Sequence, residues 1–216
     1  KYPVTSIDSD NLNNINLSQY NVLLMPSGYY NSMLKESVLE KLKAWIKSGG
    51  KLIAVAGALS SFEGKEGFGL ELNKSEAEPN PKENPKLIPY ANRERESIKN
   101  LITGAIFKTT IDNTHPMAFG YDDSYFSLKL GTKSYKYLEN GYNVGYLKEA
   151  PKQVSGFVGY NARKKLEESL VFGEKRLGQG SIIYFVDNIL FRSFWENGKL
   201  FLVNSLFFVN NNSVEL

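Results

Sequence analysis

The stretch GGKLIAVAGALSSFEG, residues 49–64, decides how the chain is read. Two glycines lead into an apolar run, Leu52 to Ala56, which gives way to small residues and then to Ser60 and Ser61. A short apolar run bounded by turn signals reads as a fully buried strand. Just before it, from about Met33 to Ser48, Leu34, Val38, Leu39, Leu42, Trp45 and Ile46 follow the i, i+4, i+8, i+12 pattern of a helix with one buried face. Lys35, Glu36, Glu40, Lys41, Lys43 and Lys47 fall largely on its other faces, and Gly49-Gly50 ends it as a C-cap. Further upstream, Asn21 to Met25 leads into the turn Pro26-Ser27-Gly28. Strand, helix and strand in succession predict parallel pairing covered by helices. In such sheets open sites lie at the carboxyl ends of the strands, here Pro26-Ser27-Gly28 and Ala56-Gly57-Ala58.

Working outward, YPVTSI (Tyr2–Ile7) is β-prone. Residues 64–100, rich in Lys, Glu, Asn and Pro, read as an exposed, partly mobile excursion. Gly104–Ile111, Tyr125–Leu130, Asn143–Leu147 and Gly156–Tyr160 read as short strands, forming antiparallel additions or an inserted subdomain. Leu170–Glu174 and Ser181–Asp187 read as a hairpin joined at Leu177-Gly178-Gln179-Gly180. A closing helix, roughly Trp195 to Phe208, is expected to bury Leu200, Val203, Leu206 and Phe207.

Composition excludes several classes. With 26 basic and 23 acidic residues the net charge is +3, too balanced to argue for nucleic acid as a partner. The absence of Cys excludes thiol catalysis, thiolate metal sites and disulfides. No apolar run approaches the roughly 18 residues of a membrane span. The chain starts at Lys1 without Met and carries no signal peptide, which reads as a cut through a larger protein.

Three stretches carry a family resemblance: YNVLLMPSGYY with LKAWIKSGGKLIAVAGALSSF, then IDNTHPMAFGY, then GSIIYFVDNILFRSFWENGKLFLVNSLFF. The chain resembles, from about Tyr2 to Val209, the C-terminal domain of secreted zinc carboxypeptidase-like proteins of Bacteroidetes-type bacteria, in the carboxypeptidase A class. That resemblance implies an α/β fold, a flavodoxin-like, class I glutamine amidotransferase-like three-layer sandwich with a mainly parallel sheet, antiparallel additions and a long polar insertion. It implies one domain over residues 1–216, N-terminally truncated and lacking a first strand and helix, with the insertion at about 64–165. It further implies a secreted, periplasmic or cell-surface location and an upstream peptidase domain as partner. Zinc belongs to that upstream domain and no cofactor to this chain, whose single His and lack of an H-x-x-E motif cannot build the zinc site.

The expected role is a non-catalytic accessory or binding domain, engaging its peptidase domain, a peptide or a glycan. The resemblance implies that amidotransferases of this fold place a Cys at the turn after the strand matching Leu52–Ala56, where this chain has Ala56-Gly57-Ala58-Leu59. Nor is AGALSS the G-x-S-x-G motif of a serine elbow. Gly57 and Ala58 then serve close packing, and Ser60 or Ser61 caps a turn. The alternative is a divergent serine hydrolase using Ser60 or Ser61 with His115 and Asp112 or Asp187. A second alternative is a small-molecule or glycan-binding module at the strand ends. Candidate binding residues are Ser27, Gly28, Gly57, His115, Asp187 and Arg192, with Arg192 expected to pair with Asp187 or Glu196. Arg93 and Arg95, in NRERES, read as a solvated helix start or, less simply, an anion clamp. Tyr29, Tyr30, Tyr121, Tyr125, Tyr135 and Tyr137 could line a sugar or peptide surface.

Overall fold

A computed structural model describes residues 3–8, 11–73 and 87–209. Strand β1 (Val22–Met25) is followed by helix α1 (Glu36–Lys47) and strand β2 (Lys51–Val55). The helix starts three residues later than its periodicity suggests, because Met33 and Leu34 N–H bond back to the Tyr30 carbonyl in a turn and Lys35 is extended. Glu36 in the first turn and Lys47 in the last complement the helix dipole. The expected face is buried: Val38, Leu39, Leu42, Trp45 and Ile46 each lose water contact, a gain of roughly 1.5–3 kcal/mol for each large aliphatic side chain. Gly49 takes a left-handed φ of 115°, and a Cβ on Gly50 would overlap the Trp45 ring, so both glycines are required where the helix turns into β2.

The remaining elements are α2 (Tyr90–Ile98), β3 (Ile102–Ile111), β4 (Ser124–Lys129), β5 (Tyr142–Leu147), β6 (Lys152–Val158), α3 (Tyr160–Lys164), β7 (Ser169–Leu177), β8 (Gly180–Phe185) and α4 (Glu196–Phe207). The strands form one sheet in the order β1-β2-β8-β7-β5-β3-β4, with β6 also on β3. Pairing is parallel among β1, β2 and β8. The hairpin β7–β8 reverses direction, and the pairings of β3 through β7 are antiparallel. The expected antiparallel additions are therefore part of the same sheet.

Alternation along the strands builds a three-layer α/β sandwich. Leu52 and Ala54 of β2, with Ile182 and Tyr184 of β8, pack beneath α1. Ile53 and Val55, with Ile183 and Phe185, face the opposite core with Phe107, Phe172 and Phe201 of α4. No helix among the described residues is long and apolar enough to cross a membrane.

Four expectations need correction. Residues 3–8 form no strand, lacking a partner ladder. Within residues 64–100, positions 74–86 lie outside the described residues, but Phe68 and Leu70 are core, with Phe68 against Phe62 at 4.8 Å between ring centroids. The strand expected at Gly156–Tyr160 lies earlier, at Lys152–Val158, and Tyr160 opens α3. Gly159 ends the strand there, where a Cβ would collide with the Ile98 and Lys99 carbonyls.

The fourth correction is the face of α4. Gly198, Phe201, Asn204 and Ser205 are buried, whereas Leu200 and Val203 are 39% and 44% exposed. Both stripes repeat at helical spacing and differ by a rotation of one or two residues. Gly198 lets the helix touch the Ile189 carbonyl, and the Asn204 side-chain amide donates to the Met117 and Phe119 carbonyls at 3.0 and 2.8 Å. Close approach and hydrogen bonding outweigh the greater apolarity of the other stripe.

Candidate functional site

Because β1, β2 and β8 run parallel with Met25 beside Ala54 and Val55 beside Phe185, their carboxyl ends open on one edge. Ser27 and Gly28, Ala56 and Gly57, and Asp187 gather there. Ala56 has φ 48°, a left-handed conformation that costs a non-Gly residue about 1–2 kcal/mol. It opens a 3-10 turn, Ala56–Ser61, straight off β2. A strained residue between strand and helical turn is how an elbow presents a nucleophile, and here the side chain is a methyl group.

The turn is packed from within. The Gly57 N–H donates to Ser27 Oγ at 3.3 Å, and a Cβ on Gly57 would stand 2.8 Å from the Gly28 carbonyl oxygen. Ser60 Oγ donates to the Gly57 carbonyl at 2.7 Å, and Ser61 Oγ lies 2.7 Å from Asn31 Oδ1. Ser27, Gly28 and Gly57 are thus brought together by backbone contact, and both serine hydroxyls brace that contact from the β1–α1 loop side.

His115 is tied elsewhere. It caps the 3-10 turn Pro116–Ala118, its Nδ1 accepting the Met117 N–H at 3.2 Å. The ring proton therefore resides on Nε2, which donates to Glu174 Oε2 at 2.9 Å. Asp112 Oδ1 accepts from the Thr114 N–H and hydroxyl rather than from His115. No side-chain hydrogen bond joins Ser60, Ser61, His115, Asp112 or Asp187 to one another among the described residues; His115 and Asp112 meet only through the backbone, His115 N–H donating to the Asp112 carbonyl at 3.4 Å. The serines' neighbours Leu59 and Phe62 belong to the α1-side core, while Met117 and Ala118, beside His115, belong to the α4-side core.

Asp187, at the end of β8, is paired with Lys129 Nζ at 3.2 Å. Burial pushes its carboxyl above the usual range, opposed by Lys129. Lys129, Ser127 and Tyr125 share the inward side of β4, so the period-2 pattern of SYFSLK was the signal that would have found this lysine. Tyr125 Oη accepts the Trp195 indole N–H at 3.1 Å, and burial raises its phenol. Arg192 does not make the expected pair: Asp187 is taken by Lys129 and Glu196 by Lys199, and the exposed guanidinium lies 5.1 Å from the Phe191 ring centroid. Arg192 and Ser193 are both left-handed, at φ 49° and 62°, which aims the chain from β8 into α4.

A second buried polar group, not anticipated from sequence, underlies α4. Lys51 Nζ donates to the Ser205 and Leu206 carbonyls at 2.9 and 3.0 Å. Burial pushes its ammonium down to about 8, with Glu174 pulling the other way. Near it, Glu174 Oε1, Ser181 Oγ and Asn204 Oδ1 are buried without a hydrogen-bond partner among the described residues.

Most of the tyrosines proposed as a ligand surface are structural. Tyr125 and Tyr135 are core residues, Tyr121 stacks on Phe201 at 3.8 Å, and Tyr135 Oη donates to Glu63 at 2.6 Å. Tyr30 Oη donates to the Pro26 carbonyl and Tyr137 Oη to that of Leu147, while Tyr29 is exposed. Arg93 and Arg95 lie on α2, an exposed helix as expected, with Arg93 Nε donating to the Ile88 carbonyl.

No family model and no curated protein matches this sequence. Among solved structures, a cytoplasmic protein of Salmonella typhimurium is similar at 16% identity and TM-score 0.49, over 92% of this chain and 77% of its own. A ThuA-like protein of Bacteroides uniformis is similar at 12% identity and TM-score 0.49, over 93% and 74%.

Proposed function

We propose that this chain is a non-catalytic accessory or binding domain built on an amidotransferase-like scaffold. The observation that carries the reading is Ala56: the strained elbow position at the end of β2 holds a residue with no nucleophilic or acid–base group. The engagement of Ser60 with the Gly57 carbonyl, of Ser61 with Asn31, and of both His115 nitrogens supports it. Its place in a secreted zinc carboxypeptidase-like protein, with an upstream peptidase domain as partner and a peptide or glycan as ligand, rests on the sequence resemblance. Zinc in that proposal belongs to the peptidase domain.

The test is turnover by the purified chain of glutamine, an activated ester and a peptide amide. Rates at the uncatalysed background support the proposal. Turnover that Ser60→Ala, Ser61→Ala or His115→Ala abolishes would overturn it in favour of a hydrolase. The coding sequence upstream of Lys1 tests the parent: a domain with His and Glu zinc ligands supports it, and any other neighbour removes it.

A further inference from the structure

Away from the strand ends, a cleft of about 270 Å³ lies on the β3–β4–β6 side of the sheet. Lys108, Thr110, Asp123, Ser124, Lys148 and Lys152 line it. Lys108 and Lys152 are direct cross-strand partners in the β3–β6 ladder. Like charges placed opposite one another are destabilising. No ion pair relieves them: among the described residues Lys108, Lys148, Lys152 and Asp123 engage in none, although lysines elsewhere on the surface pair with glutamates. Thr110 and Ser124 are also cross-strand partners, and their hydroxyls make no hydrogen bond among the described residues, unlike those of the neighbouring pair Thr109 and Ser127.

Three lysines, a threonine, a serine and an aspartate thus line one concave surface, and their side chains form no hydrogen bond or ion pair among the described residues. We propose that this cleft binds a small ligand carrying an oxyanion and neighbouring hydroxyls, the chemistry of a phosphorylated or carboxylated sugar. Lys108, Lys148 and Lys152 hold the oxyanion as point charges. Thr110 and Ser124 bond the adjacent oxygens, and Asp123 accepts from a ligand hydroxyl. The oxyanion also relieves the Lys108–Lys152 repulsion, so ligand binding stabilises the sheet. The proposal is independent of whether the elbow turn is catalytic.

The test is titration of the chain at low ionic strength with inorganic phosphate, D-glucuronate and D-glucose, followed by NMR shifts of the Thr110, Ser124 and Lys152 amides. Saturation by phosphate or glucuronate in the low-millimolar range, without saturation by glucose, is expected. Saturation by phosphate alone assigns a phosphorylated ligand, and saturation by glucuronate a carboxylated one. Lys108→Gln with Lys152→Gln should weaken binding at least about fivefold, whereas Lys35→Gln on the α1 side should not. Lys152→Glu should raise the thermal midpoint of the free protein while removing anion binding, which checks the Lys108–Lys152 repulsion; an unchanged or lowered midpoint would overturn that part of the proposal. No saturation by either anion up to 50-fold above that range, equal saturation by glucose, or unchanged affinity in the double variant would overturn the proposal.

Discussion

His115 Nε2 and Glu174 Oε2 stand 2.9 Å apart with both side chains buried, joining the loop after β3 to β7. The chain's one imidazole is thereby a strut. Its other nitrogen fixes the turn at Met117, whose carbonyl in turn accepts from Asn204 of α4.

Replacing His115 by Phe keeps an aromatic ring but leaves neither oxygen of Glu174 hydrogen-bonded, with only Arg176 Nε at 3.7 Å beside Oε1. A buried acceptor stripped of its donor costs about 1–3 kcal/mol, more when charged. Urea unfolding should show a loss at or above the upper end of that range. A loss below about 0.5 kcal/mol would mean that the strut is not formed in solution.

Ala56 makes an opposite prediction. Glycine adopts φ 48° without strain, so Ala56→Gly should be neutral or stabilise by up to about 1 kcal/mol, reversing the usual cost of glycine. Ala56→Val should destabilise, because a β-branched side chain tolerates this region least. Denaturation midpoints of the two variants, read against wild type, check the elbow geometry directly.

The two stripes of α4 can be told apart by mutation. Gly198→Ala pushes a methyl group into the Ile189 carbonyl and should cost about 1–3 kcal/mol, as overpacking does. Leu200→Ser and Val203→Ser, on exposed positions, should lie within roughly 0.5 kcal/mol of wild type. The reverse ranking would restore the stripe expected from apolarity.

Lys51 and the buried tyrosines set the alkaline limb of stability. Between about pH 8 and 10.5 the unfolded chain still protonates Lys51 while the folded chain does not, so stability rises with pH. Above pH 10 the unfolded tyrosines ionise first, because burial raises Tyr121 to about 12 and lifts Tyr125, Tyr135 and Tyr184 as well, so stability falls. A maximum at about pH 9–10 should appear in urea midpoints measured from pH 7 to 11. Lys51→Met should lose the rising limb and keep the falling one.

Local signals carried much of the architecture. The helix before Gly49-Gly50, the buried strand after it and the β7–β8 hairpin were legible because periodicity and turn chemistry act over a few residues. The strand-end cluster of Ser27, Gly28 and Gly57 was legible for the same reason, since parallel strands bring their carboxyl ends together. The cleft lysines were not, because the meeting of Lys108 and Lys152 depends on a register shifted by irregularities between Ile102 and Gly104 and between Ile106 and Phe107.

The sequence by itself determined helix α1, strand β2 and the β7–β8 hairpin, that no thiol chemistry resides here, and that the turn after β2 holds no Cys. Only the tertiary structure decided where the polar side chains go. Lys129 reaches Asp187 across 58 positions of chain, Glu174 takes His115 across 59, and Lys51 caps α4 carbonyls across 154 and 155. Burial makes such pairings obligatory, since a buried charge without a partner is expensive. Which partner is within reach is a property of the folded sheet and not of the neighbouring residues.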